Sequence, residues 1–128
     1  MDRGKIIEVL GLVPGGGFSI TDMQMVQWGR DIVFECQYLT TSMTGGADAP
    51  VDFRLIFSDC REIKYRVYAH ISAHERGSVA TIADVVEISL GQGQHRKDAN
   101  ILTNCFSISL TFGEVLVEKD ARRFPLSV

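Results

Sequence analysis

The chain has 128 residues, 45% of them hydrophobic and 23% charged, which suits a single soluble globular domain spanning 1–128, with a core large enough to fold without disulfides or metal. Its net charge of −3, with acids and bases interspersed, lacks the basic balance and cationic stripe of a nucleic-acid binder. The two densest basic clusters, His95-Arg96-Lys97 and Arg122-Arg123, each lie near an aspartate and read as solvated surface.

The N-terminal residues "MDRGKIIEVLGLV" do not read as a signal peptide, because Glu8 breaks a short apolar run and no small-residue cleavage pattern is compelling. No stretch approaches the ~20 apolar residues of a membrane span, so no membrane partner is expected. Residues 5–13 read as the first strand. The next stretch, "VLGLVPGGGFSI", invites comparison with phosphate-binding loops. A P-loop requires lysine and a hydroxyl after its second glycine, and Gly17 and Phe18 stand there instead. The dinucleotide fingerprint fails as well, with Ile20 in the third glycine's place. A Pro-Gly turn joining two extended segments is the expectation, and no cofactor is expected.

Residues 20–28, "ITDMQMVQW", fit either a short helix capped by Thr21 or Asp22 or a strand, and Trp28 to Asp31 reads as a turn. "DIVFECQYL" alternates Ile32, Phe34, Cys36 and Tyr38 against polar partners and predicts a strand. Residues 40–50 are small, polar and end in proline, as in a long connecting loop. Phe53, Leu55 and Phe57, then Ile63, Tyr65 and Val67, are all odd-numbered. A hairpin turning at Ser58-Asp59-Cys60 would place Asp52 opposite Arg66 and Arg54 opposite Lys64. The outward face of such a hairpin gathers Arg54, Lys64 and Arg66, with Tyr68 beyond, as a candidate ligand-binding cluster.

"HISAHE" sets His70 and His74 four apart, on one side of a helix or a strand. They are candidate metal ligands, although H-x-x-x-H lacks the glutamate of H-E-x-x-H and no third ligand has a defined spacing. Residues 76–86 suggest an irregular or helical start running into a strand through Val86, Ile88 and Leu90, and residues 91–100 a loop. In "CFSISLTFGEVLVEKD", Phe106, Ile108, Leu110 and Phe112 alternate with small polar residues before Val115 and Val117 resume the apolar face. That shift of parity predicts a two-residue type II′ turn at Gly113-Glu114, with Phe112 opposite Val115.

The three cysteines, Cys36, Cys60 and Cys105, form no CxxC pair, and their odd number argues against a disulfide framework; a reducing, cytoplasmic setting is expected. Cys36 and Cys105 fall in strand patterns, whereas Cys60 falls in a turn as an accessible thiol. No nucleophile elbow or carboxylate signature appears.

The sum is a mainly β fold, an antiparallel sandwich or barrel of about seven to eight strands with at most one or two short helices. Functionally, the expectation is a non-catalytic binding domain acting through protein–protein interaction, either self-association as a homo-oligomer or service as a small inhibitor or immunity-like partner. Apolar Val33, Leu39 and Leu116 on nominally outward strand faces motivate it. The alternatives are a β-barrel or sandwich holding a small ligand near Tyr65, Arg66 and Tyr68, rimmed by the 40–50 and 91–100 loops, and a metal-dependent enzyme using His70 and His74.

Overall fold

The computed structural model describes residues 2–40, 50–68, 82–91 and 97–126. Among these, one helix, α1 (Arg3–Val9), precedes nine strands: β1 (Gly17–Val26), β2 (Asp31–Leu39), β3 (Val51–Ser58), β4 (Arg61–Val67), β5 (Ala83–Gly91), β6 (Lys97–Thr103), β7 (Phe106–Phe112), β8 (Glu114–Lys119) and β9 (Arg122–Pro125). The order across the sheet is β4-β7-β6-β5-β1-β2-β3-β8-β9, and every pairing is antiparallel. The mainly β architecture expected from the alternation is what the chain adopts.

Only two residue pairs, Ser19↔Asp84 and Ile20↔Ala83, join β1 to β5 at the middle of the sheet. Its two wings fold over one shared core. Phe57 of β3 and Phe112 of β7, from opposite wings, meet edge to face with ring centroids 5.1 Å apart. Alternation decides which side chains enter: Ile32, Phe34, Cys36 and Tyr38 of β2 are buried, and so are Phe106, Ile108, Leu110 and Phe112 of β7. A one-residue slip in either strand would expose four such groups, each worth roughly 1.5–3 kcal/mol of burial.

Both expected hairpins are replaced by crossings between the wings. β7 pairs with β6 and β4, while β8 pairs with β3 and β9, so Phe112 and Val115 do not face each other across a turn. The shift of parity at Gly113-Glu114 marks a sharp bend that carries the chain to the facing wing, and such a bend satisfies the same inward pattern as a two-residue turn. Likewise β3 and β4 are not neighbours; Asp59 and Cys60 carry the chain from one wing to the other, and neither Asp52–Arg66 nor Arg54–Lys64 pairs. The two crossings touch, with the Gly113 N–H donating to the Ser58 carbonyl at 2.9 Å.

Two further expectations change, at residues 5–13 and 97–100, and the choice between helix and strand at 20–28 is resolved. Residues 5–13 do not form a strand: residues 3–9 are helical, because adjacent Ile6 and Ile7 are both buried, which a helix flank allows and a half-buried strand does not. Residues 17–26 are a strand throughout, with a bulge at Thr21 between Ile20 and Asp22. Residues 97–100, assigned above to a loop, open β6. The 41–49 and 92–96 segments and residues 76–81 lie outside the described residues.

Candidate functional site

The helix ends where the glycines begin. Gly11 takes φ +70, its N–H donates to the Glu8 carbonyl at 2.9 Å, and the Leu12 N–H donates to the Ile7 carbonyl at 3.1 Å. This is a Schellman stop, whose left-handed residue favours glycine, and it brings Leu12 back toward Ile7. The next turn runs through Pro14 and Gly15, the latter at φ +96. Gly16 then passes so close to β2 that a Cβ there would stand 2.4 Å from the Leu39 carbonyl oxygen and 2.8 Å from Cζ of Tyr38. The consecutive glycines thus have separate tasks: Gly15 turns the chain and Gly16 admits Tyr38.

Tyr38 fastens this loop to the sheet. Its hydroxyl accepts the Gly16 N–H at 2.8 Å and donates to the Val13 carbonyl. Arg3, on α1, reaches the same loop from the other side, with Nη2 donating to the Gly16 carbonyl at 2.9 Å and Nη1 to the Val85 carbonyl at 3.4 Å. The helix itself is pinned to β5 by Asp2, whose N–H donates to the Ile88 carbonyl at 3.1 Å while its carboxylate accepts the Leu90 N–H at 2.6 Å. Burial raises the Asp2 carboxyl, but the Leu90 N–H and the Lys5 ammonium, 3.1 Å away, together outweigh it and hold the group below the usual range.

Between α1, the 12–16 loop and β5 lies a cleft of about 870 Å³. Its walls are mainly apolar, from Ile7, Leu12, Pro14, Val86 and Ile88, with Arg3, Glu8, Glu87 and Tyr38 supplying the polar groups. A bulge between Val85 and Glu87 sets Val86 on the rim, where it is 58% exposed. Arg3 makes no ion pair among the described residues; its guanidinium meets two neutral carbonyls and the face of Phe18, 6.0 Å away. The cleft therefore offers an apolar volume whose wall carries one cation outside any ion pair among the described residues, together with two carboxylates, a combination suited to an amphipathic molecule.

The expected site residues stand elsewhere. Arg54 lies on the outer face of β3, between Glu35 at 2.8 Å and Glu118 at 3.5 Å, in a cross-strand row that Arg123 completes with a 3.0 Å bond to Glu118. Lys64 and Arg66 are exposed on β4, in the other wing, and Tyr68 follows that strand, its N–H bonded to the Cys105 carbonyl at 3.0 Å. Arg54 is thus not gathered with Lys64 and Arg66. None of the four residues, nor Tyr65, lines the large cleft. His70 and His74 lie outside the described residues, among which no group of three or more metal-ligating side chains forms. Cys36, Cys60 and Cys105 are all buried and none forms a disulfide, so Cys60 is not the accessible turn thiol expected above. No helix among the described residues is long and apolar enough to cross a membrane.

Comparison of structures finds similarity to an uncharacterized protein from Neisseria gonorrhoeae, with a TM-score of 0.55 over 81% of this chain and 92% of that one, at 12% identity. The likeness is one of fold. No family model and no curated protein matches the chain.

Sequence reasoning missed Arg3, Tyr38 and Val86 as cleft residues. Tyr38 was legible only as a core position of β2. No sequence signal placed Arg3 there, because the short run at Ile6, Ile7 and Val9 fits a strand as well as the helix that sets Arg3 one turn from Ile7.

Proposed function

We propose that the protein is a small-molecule-binding β domain whose ligand occupies the cleft between α1 and β5, with its apolar body against Ile7, Leu12 and Ile88 and an acidic or hydrogen-bond-accepting end toward Arg3. The observation that carries this reading is the mainly apolar 870 Å³ volume, which falls in the size range of small-molecule sites. Glu8 and Glu87 at the walls favour a ligand with a single localised anionic end over a polyanion. Three buried cysteines, none in a disulfide, agree with a reducing, cytoplasmic setting.

The test is equilibrium binding of 1-anilinonaphthalene-8-sulfonate, an apolar anion, followed by displacement with decanoate. Val86→Trp places a large ring at an exposed rim position, so it fills the cleft without disturbing the core, and it should abolish displaceable binding. Binding unaffected by Val86→Trp would overturn the assignment.

A further inference from the structure

Among the described residues no strand pairing closes the two wings on each other. After the bulge at Thr21, β1 pairs only with β2 over Asp22–Val26, and its other edge has no strand beside it among the described residues. Among the described residues β4 pairs only with β7 and ends the sheet order, so no described strand lies along its outer edge. Between these two strands runs a groove of about 310 Å³, floored by Ile20, Met23, Ala83 and Phe106 and flanked by Tyr65 and Val67. Tyr65 and Val67 are 46% and 55% exposed, although both sit on the inward-parity face of β4 and Tyr65 packs on Phe106 with ring centroids 5.5 Å apart. Near one end the β1–β2 turn lifts Trp28 wholly into solvent, with Met25 half-exposed behind it. Gly29 of that turn lies against Ile63 of β4, whose Cδ1 a Cβ there would meet at 3.3 Å.

Charge selects the occupant. Lys64 and Arg66 alternate with Ile63, Tyr65 and Val67, and their partners on β7 are the neutral Ser109 and Ser107. Among the described residues neither cation forms an ion pair, in contrast to Arg54, which has two. An antiparallel strand laid along the open edge of β4 would continue the sheet's hydrogen bonding and set every second side chain opposite Lys64 or Arg66. The groove itself carries one carboxylate, Asp22, on the β1 bank, so an incoming acid is favoured on the β4 side. A second copy of the chain fits poorly, because two β4 edges would bring together strands that each carry Arg61, Lys64 and Arg66 against one Glu62.

We infer that the open edge of β4 binds an extended, acidic segment of a partner protein by strand addition, its apolar side chains entering the groove beside Tyr65 and Val67 and its carboxylates meeting Lys64 and Arg66. This site is separate from the α1–β5 cleft and stands whether or not that cleft takes a ligand.

The experiment uses a fluorescein-labelled octapeptide alternating Glu with Val, and a control alternating Lys with Val, in fluorescence polarisation against the full chain. The Glu peptide should bind, weaken with added salt, and lose about tenfold in affinity in the Lys64→Glu/Arg66→Glu variant. Amide hydrogen exchange of the unmodified protein supplies a readout independent of that variant, with slowed exchange expected across 61–67. Equal binding of both peptides, no binding, protection confined to other strands, or a dimer held through β4 would each overturn the inference.

Discussion

The Gly16 N–H donates to the Tyr38 hydroxyl at 2.8 Å, and with the bond from that hydroxyl to the Val13 carbonyl it holds the loop after α1 against the second strand of the sheet. The two residues are so close that each excludes change in the other. Gly16→Ala puts a methyl 2.8 Å from Tyr38 Cζ and 2.4 Å from a backbone oxygen, and is expected to cost about 1–3 kcal/mol as an overpacked contact. Tyr38→Phe leaves the Gly16 N–H and the Val13 carbonyl without their partner and is expected to cost about 1–3 kcal/mol. Urea denaturation of both variants checks this, and two neutral substitutions would mean that the loop is not fastened here.

The row Glu35–Arg54–Glu118–Arg123 alternates in sign across four strands on the outer face. The Arg54 side chain is 52% exposed, so its two ion pairs are screened by water and salt. Arg54→Ala is expected to cost no more than about 1 kcal/mol, and less in high salt. Denaturation at two ionic strengths measures it; a larger, salt-independent loss would show that the row does more than pair surface charges.

Asp2 gives the attachment of α1 a dependence on pH. Its carboxyl titrates below the usual value in the folded chain, so its contribution is present at neutral pH and is lost as pH falls through the folded value. Asp2→Asn should therefore destabilise at pH 7, and the gap from the unmodified protein should close below about pH 4. Melting curves at pH 7 and pH 3 measure that gap, and a constant gap would contradict the account.

Cys36 is 2% exposed, and burial followed by the neighbouring Glu35 charge pushes its thiol well above the ordinary range. A neutral thiol in the core is a poor nucleophile. Ellman's reagent should leave Cys36 unmodified in the folded protein and label it at the rate of unfolding. Rapid labelling under native conditions would contradict its burial.

The strands were largely legible because alternation is local: Ile32 to Tyr38 and Phe106 to Phe112 announce their inward faces from sequence alone. Pairing was not, because parity fixes which way a side chain points and not which strand lies beside it. Gly113 shows the difference, since Phe112 and Val115 point inward whether the chain turns back or crosses over. The helix escaped because Ile6, Ile7 and Val9 are too short a run to separate a strand from a turn or two of helix. The cleft was hidden for a related reason, as it joins Arg3 and Gly16 to Tyr38 and Val86, positions brought together only by tertiary structure. The glycine run is a turn, as expected, but it joins a helix to a strand rather than two extended segments, and its lining of the cleft emerged only with the fold.

The central claim is that the α1–β5 cleft binds an amphipathic molecule, and titrating decanoate into uniformly ¹⁵N-labelled protein while recording amide shifts tests it most directly. Saturable shifts concentrated at Ile7, Leu12, Gly15, Gly16 and Ile88, and absent in Val86→Trp, are the predicted result. No saturable shift, or shifts confined to residues away from this cleft, would contradict it.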